Sequence, residues 1–199
     1  MLDGAIVAFR RGDPVLLTGE NGAVLAVAAE LVTEESLARL RNMSSRRLSV
    51  VVTRRRAVAL GLAPRSALAG TVRITVAPNL SAAVIRKLAD PAASLGAEPP
   101  GLGPEPASAE PGAQAAVTLA KLADLLPAAL VLWLVPAEAA LARRRADFAV
   151  VDMTAVLNRR AAIAGLNVSP KPACRSPMPR TPGSSRSGPA MAGPSIWQS

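Results

Sequence analysis

Three β-branched residues in a row, Val50, Val51 and Val52, sit inside the run 48–53, and that run limits the fold more than any other stretch. Successive side chains of a strand point to opposite faces, so an uninterrupted run leaves neither face polar. Such a strand has to be covered on both sides, the usual situation of a sheet layered between helices. The longest apolar run, residues 125–135, leads to the same place. It is broken by Pro127 and falls short of the roughly 20 residues that span a bilayer, so it reads as a buried strand and argues against a membrane protein.

The segments around these two runs have helix and turn signals. Asp3 is expected to cap a first helix with Ile6, Val7 and Phe9 on one face, Arg10 and Arg11 at its C-terminal end and Gly12 as its stop. Residues 14–18 and 23–29 read as strands joined through Gly19, Glu20, Asn21 and Gly22, where Asn-Gly is a hairpin signal. Thr33 caps the next helix, with Glu34 and Glu35 in its first turn. Residues 54–60 form a short helix ended by Gly61, and residues 71–76 a strand. Ser81 caps a helix to Ala89, and residues 113–125 form another that buries Val117, Leu119, Leu122 and Leu126. Residues 129–135 and 148–152 complete the strands. Strands alternating with helices of about ten residues predict an α/β (α+β) fold with a mixed sheet, spanning residues 1–168. Within it, residues 91–112 hold six prolines and four glycines and are expected to be a mobile surface loop. Residues 169–199 are Pro, Ser, Gly and Arg with little to bury, and read as a disordered tail.

Composition narrows the chemistry. Histidine is absent and Cys174 is the lone cysteine, which removes the commonest general base, the thiol nucleophile of most sites and every common zinc constellation. With two Phe, two Trp and no Tyr, the core has to be Ala, Val and Leu. One cysteine excludes an internal disulfide, and the residues after Met1 lack the order of a signal peptide, so the expected compartment is the cytoplasm. The net charge of +9 suggests nucleic acid, but residues 169–199 hold four Lys and Arg and no acid, so +4 of it lies in the tail.

The residues Arg11-Gly-Asp-Pro-Val-Leu-Leu and Ala28-Ala-Glu-Leu-Val-Thr-Glu-Glu-Ser-Leu resemble the opening of dihydroxybutanone phosphate synthases of riboflavin biosynthesis. Arg56-Ala-Val-Ala-Leu-Gly-Leu is similar to that family's segment after its third strand, and Ala116-Val-Thr-Leu-Ala-Lys-Leu-Ala-Asp-Leu to its Val-Asp-Leu-Ala-Arg-Leu-Ala-Gly-Leu block. The catalytic motifs do not follow. The acidic metal-binding loop of the family is replaced by Thr18-Gly-Glu-Asn-Gly, leaving Glu20 as its one carboxylate, and one carboxylate cannot both hold a divalent cation and orient a sugar phosphate. The family's His-Thr-Ser-Gly falls near Met43-Ser-Ser-Arg and its Gly-His-Thr-Glu near Gly112-Ala-Gln-Ala. No catalytic, cofactor-binding or metal-binding residue carries over. The pattern resembles the degenerate synthase-like region that precedes the catalytic domain in some bacterial GTP cyclohydrolase II proteins. That resemblance implies a homodimer, a chain inactive by itself, and zinc and GTP bound by a hydrolase domain not seen in these residues.

Back-translation of the tail extends this reading. Taken one frame over with G- or C-rich codons, residues 170–199 become an ordinary-looking sequence containing Glu-His-Leu-Ala, which resembles the entry into that catalytic domain. Met178, Met191 and Trp197 fix bases of the shifted frame whatever codons surround them. The expectation is a truncated protein whose frame is lost near Ser169; a gene in which the shifted frame soon closes overturns it.

Other motifs have simpler explanations. Arg54-Arg-Arg and Arg143-Arg-Arg offer a nucleic-acid surface, and with the tail they support an alternative reading as a small basic RNA- or polyanion-binding protein, but no aromatic residues interleave them. Gly101-Leu-Gly-Pro follows no strand and makes a poor phosphate loop. Glu34 and Glu35, adjacent on a helix, point apart and serve as capping charges. Arg46-Arg-Leu-Ser has the form of a kinase substrate, and the sequons at Asn42, Asn79 and Asn167 carry no meaning in a cytoplasmic chain.

Overall fold

The buried runs become the middle of one mixed sheet. The computed structural model describes residues 1–20, 22–65, 70–95, 102–106, 110–144 and 148–166. Its strands are β1 (Val15–Gly19), β2 (Gly22–Ala28), β3 (Ser49–Thr53), β4 (Thr71–Val76), β5 (Leu102–Pro106), β6 (Ala128–Leu134) and β7 (Ala149–Asp152). They lie in the order β5-β4-β3-β6-β2-β1-β7, every neighbouring pair antiparallel except β1 with β7. β6 is central because it is apolar on both sides. Ala128, Leu130, Leu132 and Leu134 enter one core, while Ala129 and Val131 enter the other.

Helices cover the two faces. On the first lie α2 (Glu34–Met43), α3 (Arg54–Ala59), α4 (Ala82–Ala89) and α6 (Pro136–Arg144), which contribute Leu37, Leu40, Ala57, Ile85, Leu88 and Ala139. On the second lie α1 (Leu2–Arg10), α5 (Pro111–Leu122) and α7 (Met153–Leu166), which contribute Phe9, Leu119 and Val156. α5 is buried almost all round, from Gly112 to Ala120, and its many alanines let it lie close to the strands. Arg10 ties α1 to the end of α5, donating through Nε to Ala123 O at 2.9 Å and through Nη2 to Asp124 Oδ2 at 2.8 Å. No helix among the described residues is long and apolar enough to cross a membrane.

Several local expectations hold. Thr33 caps α2 in a reciprocal box with Ser36, and α3 follows β3 directly, with Thr53, which the sequence did not single out, accepting from Arg56 N. Gly19 pairs with Gly22 to close the first hairpin, and Gly22, at φ +136°, takes a conformation that strains any other residue.

Others are corrected. α1 begins at Leu2, so Asp3 sits in its first turn and the N-cap position falls to Met1. Ser81 occupies the N-cap position of α4 without a capping bond; Glu34 Oε1 accepts from Ala82 N at 2.7 Å instead, so one helix caps another. The expected loop 91–112 contains β5, paired along β4, and the first two residues of α5. Prolines are compatible with both places, since β5 is an edge strand and Pro111 stands where a helix has no N–H to lose. α5 therefore runs earlier than 113–125, and Leu122 and Leu126 are only half-buried. α6 and α7 were not expected, because neither carries a clear apolar stripe. Residues 169–199, with Cys174 and the tail expected there, lie outside the described residues, as do Gly101, Arg145 and Asn167.

Candidate functional site

The first hairpin and the N-terminus of α5 meet at one end of the sheet. There they border a cleft of about 540 Å³ lined by Gly19, Glu20 and Gly22 from the hairpin, Arg46 from the segment after α2, Glu110, Pro111 and Gly112 from the start of α5, and Trp133 and Met153. The three segments matched to family motifs thus converge although far apart in sequence. Packing holds them there. A Cβ on Gly112 would lie 2.7 Å from Val24 Cγ2, a buried β-branched side chain with little freedom to move, so α5 starts in direct contact with β2.

Trp133 faces the second side of the sheet, in register with Val24 of the neighbouring strand. Arg73 of β4 lies with its guanidinium 5.1 Å from the Trp133 ring centroid and its Nη1 3.0 Å from Glu110 Oε1. The cation over the indole face and the ion pair reinforce one another, and both leave Arg73 and Glu110 occupied. A companion cleft of about 450 Å³ on the same side takes in Arg46, Arg47, Ser49, Arg73 and Thr75. Among the described residues no group of three His, Cys, Asp or Glu is placed to hold a metal ion. Of the two carboxylates in the larger cleft, Glu110 is held by Arg73 and Glu20 is exposed, so this donor set does not fit a divalent cation.

One carboxylate nearby is strongly committed. Glu138 Oε2 accepts from Val135 N at 3.0 Å, at the start of α6, and this bond first, then the Ser44 hydroxyl and the Arg46 charge, holds its carboxyl below the usual range. A depressed folded value stabilises the fold above the ordinary carboxylate range and loses that contribution as pH falls through it. Melting temperatures followed from neutral to acid pH should therefore fall less steeply for Glu138→Gln than for the unchanged chain; parallel curves would refute the coupling.

The arginine runs are dispersed. Arg56 donates to the carbonyls of Lys87, Leu88, Pro91 and Ala93, whereas Arg55 lines a separate cleft and Arg143 and Arg144 project from the end of α6. Glu34 serves α4 and Glu35 is exposed, so the two carboxylates form no pair. Sequence reasoning missed Trp133, Arg73 and Glu110. The alternation of Thr71, Arg73 and Thr75 with Val72, Ile74 and Val76 marked a polar face on β4, but nothing local announced its partners.

No protein-family model matches the chain. It is similar to GTP cyclohydrolase-2 of Azospirillum brasilense, with 36% identity over 133 residues, 65% of this chain and 34% of that protein. The chain thus spans about a third of the length of that curated relative. The fold matches 3,4-dihydroxy-2-butanone 4-phosphate synthase of Candida albicans at a TM-score of 0.59 and 20% identity, covering 80% of this chain and 96% of the synthase. A synthase solved with two magnesium ions matches at 0.59 and 22%, covering 82% and 98%. The described domain has the dihydroxybutanone phosphate synthase fold.

Proposed function

We propose that this chain is a non-catalytic, synthase-like domain of riboflavin biosynthesis, the counterpart of the region ahead of the zinc-dependent domain in GTP cyclohydrolase II. Similarity to a cyclohydrolase over part of its length, together with the synthase fold, supports the pathway. One observation carries the non-catalytic part: in the cleft where the three motif segments meet, Glu110 is bound to Arg73 and Arg73 lies over Trp133. Proton abstraction from a sugar phosphate needs a base beside a bound cation. With Glu110 taken up by Arg73, Glu20 is the one carboxylate left uncommitted among the described lining residues, and a single carboxylate does not serve both needs. The domain then serves packing or dimerisation, in a bacterial cytoplasm, and the zinc- and GTP-binding half is read in the shifted frame beyond Ser169.

Light scattering behind size exclusion should give the mass of a homodimer, and incubation with Mg²⁺ and a pentose phosphate should give no turnover. A monomer at micromolar concentration would remove the dimerisation role; turnover would overturn the non-catalytic reading. No observation favours an RNA-binding protein, since the cationic runs point to different parts of the surface.

A further inference from the structure

A larger cleft, of about 750 Å³, lies at the opposite ends of the strands. Thr53, the last residue of β3, and Thr71, the first of β4, are register partners at its floor, and Pro127 precedes β6, whose far end carries Trp133. α5 forms one wall with Gln114, Val117, Thr118 and Lys121, residues at helical spacing i, i+3, i+4 and i+7.

The charges in this cleft are of one sign. Arg55 from α3, Lys121 from α5 and Arg160 from α7 line it, and among the described residues no Asp or Glu lines it and none of the three cations meets a carboxylate. Three separate elements therefore bring like charges together. The Lys121 ammonium is pushed below its ordinary value by burial first and then by Arg160 and Arg55. Such an arrangement costs stability in the free chain and loses that cost when an anion enters. Hydroxyls accompany the cations. Thr118 is 2% exposed, and Thr53, whose oxygen accepts from Arg56 N at 3.3 Å, keeps its proton free to donate.

We propose that this cleft binds a small organic phosphate, its phosphate oxygens held by Arg55, Lys121 and Arg160 and its carbon part against Val117 and Leu157. A single carboxylate would leave two of the three cations unmatched, whereas a phosphate offers several oxygens and nearly two charges. The volume lies within the ordinary range for small-ligand sites, about 300–1,000 Å³. RNA fits less well, because among the described residues no aromatic ring lines the cleft for base stacking.

The test is calorimetric titration of the full chain with pyrophosphate and with ADP, at ionic strength matched by sodium chloride. Both should bind saturably, ADP the tighter because of the apolar wall, and both should raise the melting temperature beyond the chloride control. Arg160→Glu, a change on an exposed side chain, should weaken binding at least about tenfold, and Lys121→Met should do the same if its circular dichroism is unchanged. Heats that match chloride alone, equal affinity in Arg160→Glu, or binding of a single-stranded RNA where neither small phosphate binds would each overturn the proposal.

Discussion

Phe9→Ala should lower the unfolding free energy by about 3–5 kcal/mol, the range for deleting a fully buried aromatic ring. Phe9 is 0% exposed on α1, and the core cluster it belongs to is rich in alanine, including Ala5, Ala113, Ala116 and Ala120. Alanines have no side chain that could swing into the vacated space, so the cavity should stay open and the cost should sit toward the top of that range. Phe9→Leu, which keeps most of the volume, should cost less than half as much. Urea unfolding with an unchanged slope would measure both. A loss under about 1 kcal/mol would mean that α1 does not seat as described.

Arg56→Ala should cost about 2–4 kcal/mol through lost charge-assisted hydrogen bonds, discounted for partial exposure. Its Nε donates to Leu88 O at 3.0 Å, and its Nη2 to Lys87 O at 2.8 Å and Ala93 O at 2.9 Å. These carbonyls belong to the end of α4 and the turn after it, which lack helical partners of their own. A planar guanidinium can reach them all at once and an ammonium cannot, so Arg56→Lys should recover only a small part of the loss. Amide exchange should speed up at residues 87–93 in both variants. Full recovery by lysine would show that charge alone matters there.

The legible parts of the molecule were those governed by neighbours in sequence. Val50, Val51 and Val52 placed a strand under two layers, the Thr33 cap started α2 where expected, and Asn-Gly signalled the hairpin. β5 was not legible because its glycines and prolines oppose strand formation, and its pairing is supplied by β4. Glu34 looked like a charge for its own helix because Ala82, whose N–H it accepts, is 48 residues away. At the candidate site, the missing acids could be read directly from the hairpin, but the replacement could not. Arg73, Glu110 and Trp133 meet only when β4, α5 and β6 are assembled. Arg55, Lys121 and Arg160 share no motif for the same reason.

The strand order also sets a timetable for synthesis. β1, complete at Gly19, takes β7 as its parallel neighbour, beginning at Ala149, and β2 takes β6, beginning at Ala128. A ribosome adding roughly 5–20 residues each second needs on the order of ten seconds to travel from one partner to the other. Until those partners emerge, the outer edges of the first hairpin lack their sheet neighbours, β6 for β2 and β7 for β1, and the apolar strand β2 has only β1 beside it. The nascent chain therefore passes its most adhesive stage early, and a pause in translation before β6 would prolong it, whereas a pause after β7 would not.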